Sequence, residues 1–167
     1  MINLKVLAAI ILIILATSIP SFALEKGVKI PSFAVKDQNG HVYDLSGFEG
    51  NIVYIDFWAS WCGPCKKSLP WLNGISRKYK DKGLKILAIN LDTNKQDADK
   101  MIASIKPEFE IAFDPDGASP EEFEVDTMPS AFLIDRKGKI VEIYKGFNET
   151  DEEAIEKNIA KLLEEGK

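Results

Sequence analysis

The only two cysteines of this 167-residue chain stand in Trp61-Cys62-Gly63-Pro64-Cys65. A disulfide closing so short a loop removes little entropy from the unfolded chain, so the pair makes a poor structural staple. It is well suited to reversible oxidation. The pair follows an apolar, strand-like run, 52–58, and precedes a stretch where Leu69, Leu72, Ile75 and Tyr79 recur at helical spacing. A Cys-x-x-Cys at a helix start brings its first sulfur near unpaired backbone N–H groups and the positive end of the helix dipole. Both favour the thiolate, which is the nucleophile of thiol–disulfide exchange. Cys62 is therefore expected to attack a partner's disulfide. Cys65, one helical turn on and more enclosed, then attacks Cys62 and releases the reduced partner.

Metal binding is the competing use of such a pair. Zinc needs four protein ligands, or three and a water, and His41 is the only other strong candidate in the chain. Pro64 between the cysteines also suits a helix start better than a metal knuckle. No metal is expected, and no cofactor beyond the redox-active disulfide itself.

Asp56 is the third candidate catalytic residue. It interrupts a run that otherwise reads as buried strand, six residues before Cys62. A buried carboxylate without a partner is costly, and its pKa climbs toward neutrality. Such a group could take the proton of Cys65, directly or through a water. The bland alternative places Asp56 toward solvent at the strand's end.

The elements around these residues are readable. Phe33–Asp37 and His41–Leu45 flank Gln38-Asn39-Gly40, a hairpin signal. The near-continuous apolar strand 52–58 fits a centre covered on both faces. A helix follows the cysteines, with Pro70 expected to kink it. Then come a strand at Leu84–Asn90 and a helix through Ala98, Met101, Ile102 and Ile105 that stops before Pro107. A short strand at Glu110–Phe113 precedes the turn Asp114-Pro115-Asp116-Gly117. Ser119-Pro120-Glu121-Glu122 and Thr150-Asp151-Glu152-Glu153 read as capping boxes. Between them lie strands at Ala131–Asp135 and Ile140–Tyr144. A last helix turns Ile155, Ile159, Leu162 and Leu163 inward. Strands alternating with helices give parallel crossovers, and the closing hairpin makes the sheet mixed. The expectation is a three-layer α/β domain over 24–167.

Composition agrees with one globular domain, at 46% apolar and 28% charged residues. A net charge of -5 with no basic block argues against nucleic acid. Residues 1–23 read differently. Lys5, the apolar run from Val6, and Ser21-Phe22-Ala23 form the charged, apolar and small-residue parts of a secretory signal cleaved after Ala23. The alternative is an uncleaved anchor, although the run is shorter than the ~20 residues of a usual span. Either form puts the domain in the periplasm or on the outer face of the cytoplasmic membrane. In an oxidising compartment, one vicinal pair with no other thiol points to that pair as the functional group.

Asp56-Phe57-Trp58-Ala59-Ser60-Trp61-Cys62-Gly63-Pro64-Cys65-Lys66, with Pro70 beyond it, resembles the thioredoxin superfamily. The export signal, the N-terminal hairpin, the insert over about 92–113 and Met128-Pro129-Ser130-Ala131-Phe132-Leu133-Ile134-Asp135 are similar to its exported TlpA/ResA group. The resemblance implies a thioredoxin fold and a thiol–disulfide oxidoreductase. It implies a cis Met128–Pro129 bond beside the sulfurs, barring metals and offering Met128 backbone to substrate as an added strand. Trp61, Gly63 and Pro64 complete the implied substrate surface. Trp58 should pack beneath it, with Phe57, Trp71 and Phe132 in the core. Gly-Pro between the cysteines matches thioredoxin and leans toward reduction. The implied partners are exported proteins with disulfides and a membrane electron donor, for a monomer. One departure stands out. The group commonly carries Asn at the position of Asp56 and an acid three residues after the second cysteine, where this chain has Ser68. That departure bears on whether the group's part in cytochrome c biogenesis carries over. A disulfide-forming oxidase or isomerase and a non-catalytic metal-binding or chaperone module remain the alternatives.

Overall fold

The computed structural model describes residues 24–48 and 50–165, so the expected signal segment 1–23 lies outside the described residues. Seven strands form one sheet: β1 (Ala34–Lys36), β2 (Val42–Asp44), β3 (Ile52–Trp58), β4 (Leu84–Asn90), β5 (Glu110–Phe113), β6 (Ser130–Ile134) and β7 (Ile140–Lys145). Their order across the sheet is β2-β1-β5-β4-β3-β6-β7. The pairs β3–β4 and β4–β5 are parallel, while β6, β7, β1 and β2 join antiparallel. Among the described residues the α-helices are α1 (Cys65–Tyr79), α2 (Lys95–Ile105), α3 (Ala118–Glu122) and α4 (Glu152–Glu164). The architecture is the thioredoxin fold with a mixed central sheet.

All seven residues of β3 are buried, as a strand between two neighbours and two covered faces must be. Alternation divides them between two cores. Tyr54 and Trp58 join α1 and α4 residues, including both cysteines, Leu69, Leu72, Ile155 and Ile159. Val53, Ile55 and Phe57 face the opposite layer, with Leu45, Phe123 and Phe132. Three aromatic rings close that side: Phe57, Phe123 and Phe132 lie 5.1 to 6.0 Å apart between centroids. Trp71 differs from expectation. It is only partly buried and leans on Phe147 at 5.5 Å, because α1 turns it toward the core's margin.

The helix α1 runs through Pro70, whose missing N–H removes the bond the Lys66 carbonyl would accept. The helix α2 starts on Asn94, whose Oδ1 accepts the Gln96 N–H at 3.1 Å. It ends with Lys106 in the left-handed region, before Pro107.

Both expected capping boxes sit elsewhere. Ser119 lies inside α3, buried, and its N–H and hydroxyl both donate to Asp114 Oδ2. The carboxylate of the preceding turn caps this helix from outside, because Gly117 at φ +74° folds the chain back beneath it. Asp114→Ala should destabilise the domain by about 1–2 kcal/mol, read from urea unfolding, with thiol exchange unchanged. At the other end, Asn148 and Asp151 form the box around a 3-10 turn, Glu149–Asp151, that leads into α4. Asn is a stronger cap than Thr, so Asn148 displaces Thr150. The inward face of α4 is Ile155, Ile159, Leu162 and Leu163, as its spacing predicts.

Candidate active site

The chain leaves β3 at Trp58 and crosses a short turn, closed by Cys62 N–H donating to the Ala59 carbonyl at 3.1 Å, before α1 begins at Cys65. The N–H groups of Lys66, Lys67 and Ser68 find carbonyls of Gly63 and Pro64. That of Cys65 donates to Cys62 Sγ at 3.2 Å. The first sulfur thus occupies the place of an N-cap acceptor, where a negative charge gains most from the helix dipole. Cys62 and Cys65 form a disulfide, with their Cα atoms 5.3 Å apart.

The two sulfurs are not equivalent. Cys65 has no exposed surface, whereas Cys62 keeps 5% and is flanked by exposed Trp61, Gly63 and Pro64. Trp61, at 67% exposure, is the more exposed of two exposed large apolar side chains among the described residues, the other being Val42 in β2. Of the two sulfur-bearing residues, Cys62 alone offers surface to solvent.

Asp56 does not face solvent. It is 1% exposed, and Oδ2 is one of two buried side-chain atoms without a hydrogen-bond partner among the described residues, the other being Trp58 Nε1. Its cross-strand neighbours are Ala88 and Ala131, which offer it no side-chain donor. Burial therefore pushes its carboxyl well above the usual carboxylate range. The same burial, with Asp56 as a second cause, holds the Tyr54 hydroxyl far above its ordinary value. Strand alternation puts Asp56 on the face of Tyr54 and Trp58, the face covered by the helix that carries Cys65.

Ser68 stands three residues after Cys65, on the inner face of α1. It is buried, and its hydroxyl donates back to the Cys65 carbonyl at 3.4 Å. The buried acid on this face is therefore carried by β3, and α1 contributes a hydroxyl.

The third side of the site is the chain entering β6. The Met128–Pro129 bond is cis. Ser130 pairs with Phe57, so Pro129 lies level with the end of β3, where the cysteine turn departs. The Pro129 carbonyl accepts Gly146 N–H at 2.7 Å, which ties this loop to the end of β7. A cavity of about 290 Å³ opens between Trp61, Leu91, Pro120, Val125, Thr127 and Met128. Trp61 and Met128 therefore share one groove. His41 is remote: it precedes β2 at the far edge of the sheet, with β1, β5 and β4 between it and β3. It cannot join the cysteines around one metal ion.

A profile of the Redoxin family matches residues 25–162. The chain belongs to the Redoxin family. Among its relatives, the thiol-disulfide oxidoreductase ResA of Bacillus thuringiensis subsp. konkukian is 33% identical over 139 residues, 83% of this chain and 79% of that protein. ResA of Bacillus subtilis strain 168 is 31% identical over 74% of this chain and 69% of its own. Among solved structures, one from Chlorobium tepidum, described as a thiol:disulfide interchange protein DsbE, is 48% identical. It superposes with a TM-score of 0.81 over 84% of this chain and 99% of that one. This redoxin is thus a TlpA/ResA-like member of the thioredoxin superfamily and a thiol–disulfide oxidoreductase.

One part of this redoxin's site was not legible in its sequence. Asp92, just past β4, reaches across to the cysteine turn. Its carboxylate accepts Ser60 N–H at 2.8 Å, the Ser60 hydroxyl at 2.9 Å and Asn90 Nδ2 at 2.8 Å. Asn-Leu-Asp-Thr-Asn at a strand's end reads as an ordinary polar turn, and only the fold brings it to Ser60.

Proposed function

We propose that this redoxin is an exported reductase of protein disulfides. The reduced protein attacks through Cys62 thiolate, forming a Cys62–partner disulfide and expelling the partner's first sulfur as a thiolate. Cys65 then gives its proton to the Asp56 carboxylate and attacks Cys62 Sγ. The Cys62–Cys65 disulfide forms, the partner's second sulfur leaves, and two electrons have passed to the partner. The disulfide is the only redox group this needs. The observation that carries the reading is the asymmetry of the pair: Cys62 is reachable and held on a helix N–H, Cys65 is sealed, and an unpartnered acid lies on the same face.

Partners bind across Trp61, Gly63, Pro64, Met128 and Pro129, with the apolar groove beside Trp61 taking side chains of the attacked protein. Trp61→Ala should raise KM for a protein disulfide about tenfold or more, the loss typical of an exposed aromatic anchor. Its kcat and its rate with a small disulfide should stay near wild type.

The Gly-Pro pair between the cysteines supports the reducing direction, and the signal-like residues 1–23 support export, cleaved or retained as an anchor. The working protein is then a monomer recharged by a membrane electron donor, with exported disulfide proteins as clients and no nucleic acid. The direction is tested by quenching cells in acid and alkylating free thiols. A reductase is recovered mainly as the dithiol, and recovery mainly as the disulfide would make it an oxidant.

A further inference from the structure

Reduction removes the covalent tie across the cysteine turn, and few hydrogen bonds hold the residues ahead of Cys62. Trp61, Gly63 and Pro64 are exposed, and a Cβ built on Gly63 would meet nothing within 4 Å. Behind Cys62, the first turn of α1 holds Gly63 and Pro64 through the Lys66, Lys67 and Ser68 N–H groups; ahead of it stand the Cys62 N–H bond to Ala59 and the pair of bonds from Ser60 to Asp92, with the Cys65 N–H on Cys62 Sγ itself. Asp92 is the one side chain outside the turn whose hydrogen bonds reach residues 59–64 among the described residues.

Its foundation is rigid. Asn90 ends β4 at the centre of the sheet, fully buried, donating through Nδ2 to Asp92 Oδ2 and accepting the Asp92 N–H on Oδ1 at 3.1 Å. Leu91 N–H donates to the Trp58 carbonyl at 2.9 Å, carrying the contact between the two strands past their ends. Asp92 is 6% exposed, and no cation lies within ion-pair distance of it among the described residues. Keeping a charge there without a counter-ion is costly, and three donors offset the cost. All three belong to the active-site turn or to the strand end that supports it.

We propose that Asp92 is a positioning residue for thiol exchange: it tethers the residues ahead of Cys62, so that the Cys62 sulfur stays on the Cys65 N–H when the disulfide is open. The inference rests on Cys62 being the attacking sulfur. A sulfur displaced by about 1 Å is weaker both in its contact with the helix N–H and in its line of attack, and misplacement of that size slows a reaction by up to about a hundredfold.

Asn at position 92 can reproduce the tether without the charge. Its oxygen would accept from Ser60 N–H and Asn90 Nδ2, and its amide would donate to the Ser60 hydroxyl, which can reverse its role. Asp92→Ala loses every side-chain bond and keeps only the backbone N–H bond to Asn90. The comparison of Ala with Asn therefore separates tether from charge, because both lack the charge.

The test uses the reduced full domain and two probes, iodoacetamide for alkylation of Cys62 and oxidised glutathione for exchange. Asp92→Ala should slow both about tenfold or more. Asp92→Asn should stay within about twofold of wild type, and Ser60→Ala, which keeps the charge and loses one of the two Ser60 bonds, should slow both about threefold. Equal rates in wild type and Asp92→Ala would overturn the proposal, as would Asp92→Asn falling as far as Ala. Should Asp92→Ala not fold, Ser60→Ala decides: slowed alkylation supports the tether, and wild-type alkylation refutes it. Mapping the label keeps the two claims apart. Alkylation of Cys65 in the wild type would sink the assignment of Cys62, whereas unchanged Cys62 labelling in the variants would sink the tether alone.

Discussion

Cys65→Ser should trap this redoxin on its partners, and Cys62→Ser should silence it. Cys62 is the sulfur with residual exposure and a helix N–H to hold its charge, so a protein with Cys62 alone still completes the first displacement. The mixed disulfide then has no internal thiol to resolve it and accumulates in amounts equal to the enzyme. With Cys65 alone, the remaining thiol has no exposed surface and no route to a partner's disulfide. The measurement is non-reducing electrophoresis and mass spectrometry after mixing each variant with a disulfide-bonded protein such as insulin. Trapping by Cys65→Ser and none by Cys62→Ser is expected. The reverse pattern would mean that the sealed sulfur is the nucleophile, and the asymmetry of the pair would have been misread.

The second large effect concerns Asp56. Asp56→Asn and Asp56→Ala should slow resolution of the mixed disulfide by about a hundredfold, the usual worth of a positioned general base. The first displacement should change little. Wild-type resolution should quicken with rising pH as the Asp56 carboxylate ionises, and the variants should lack that limb. The same group makes an opposite prediction for stability. Burial raises its folded-state pKa, so the folded protein binds the proton more tightly than the unfolded chain does. Stability from this group is complete below the unfolded value of about 3.9 and is lost as pH rises through the folded pKa. Above that pKa, Asp56→Ala should be more stable than wild type. The two proteins should converge near pH ~4. Urea unfolding across pH tests the stability, and stopped-flow thiol release tests the rate. A variant that resolves as fast as wild type over about pH 6–8 would remove Asp56 from the mechanism.

How much of this was legible beforehand depends on whether the information is local. The strands 52–58, 84–90 and 110–113 were readable to the residue, because an apolar run bounded by turn residues leaves few choices. The burial of Asp56 was also readable, since a lone acid inside such a run shares the run's fate. The helix caps were less so. A capping box is a four-residue pattern, and Asp114 reaching Ser119 from outside the helix overrides it, as Asn148 does for Thr150. Trp71 looked like core by its chemistry, yet α1 places it at the edge. The Ser60–Asp92 contact was invisible for another reason. It joins the ends of two parallel strands separated by a whole crossover, and nothing in either segment names the other.

The central claim is a dithiol poised to give up two electrons, and the reduction potential tests it most directly. The domain would be equilibrated in dithiothreitol and glutathione buffers and the Cys62–Cys65 disulfide quantified at each poise. A single two-electron transition near or below about −270 mV is expected, the thioredoxin end of the range for such pairs. A transition near about −120 mV, the strongly oxidising end, would contradict the reducing role and make this redoxin a donor of disulfides.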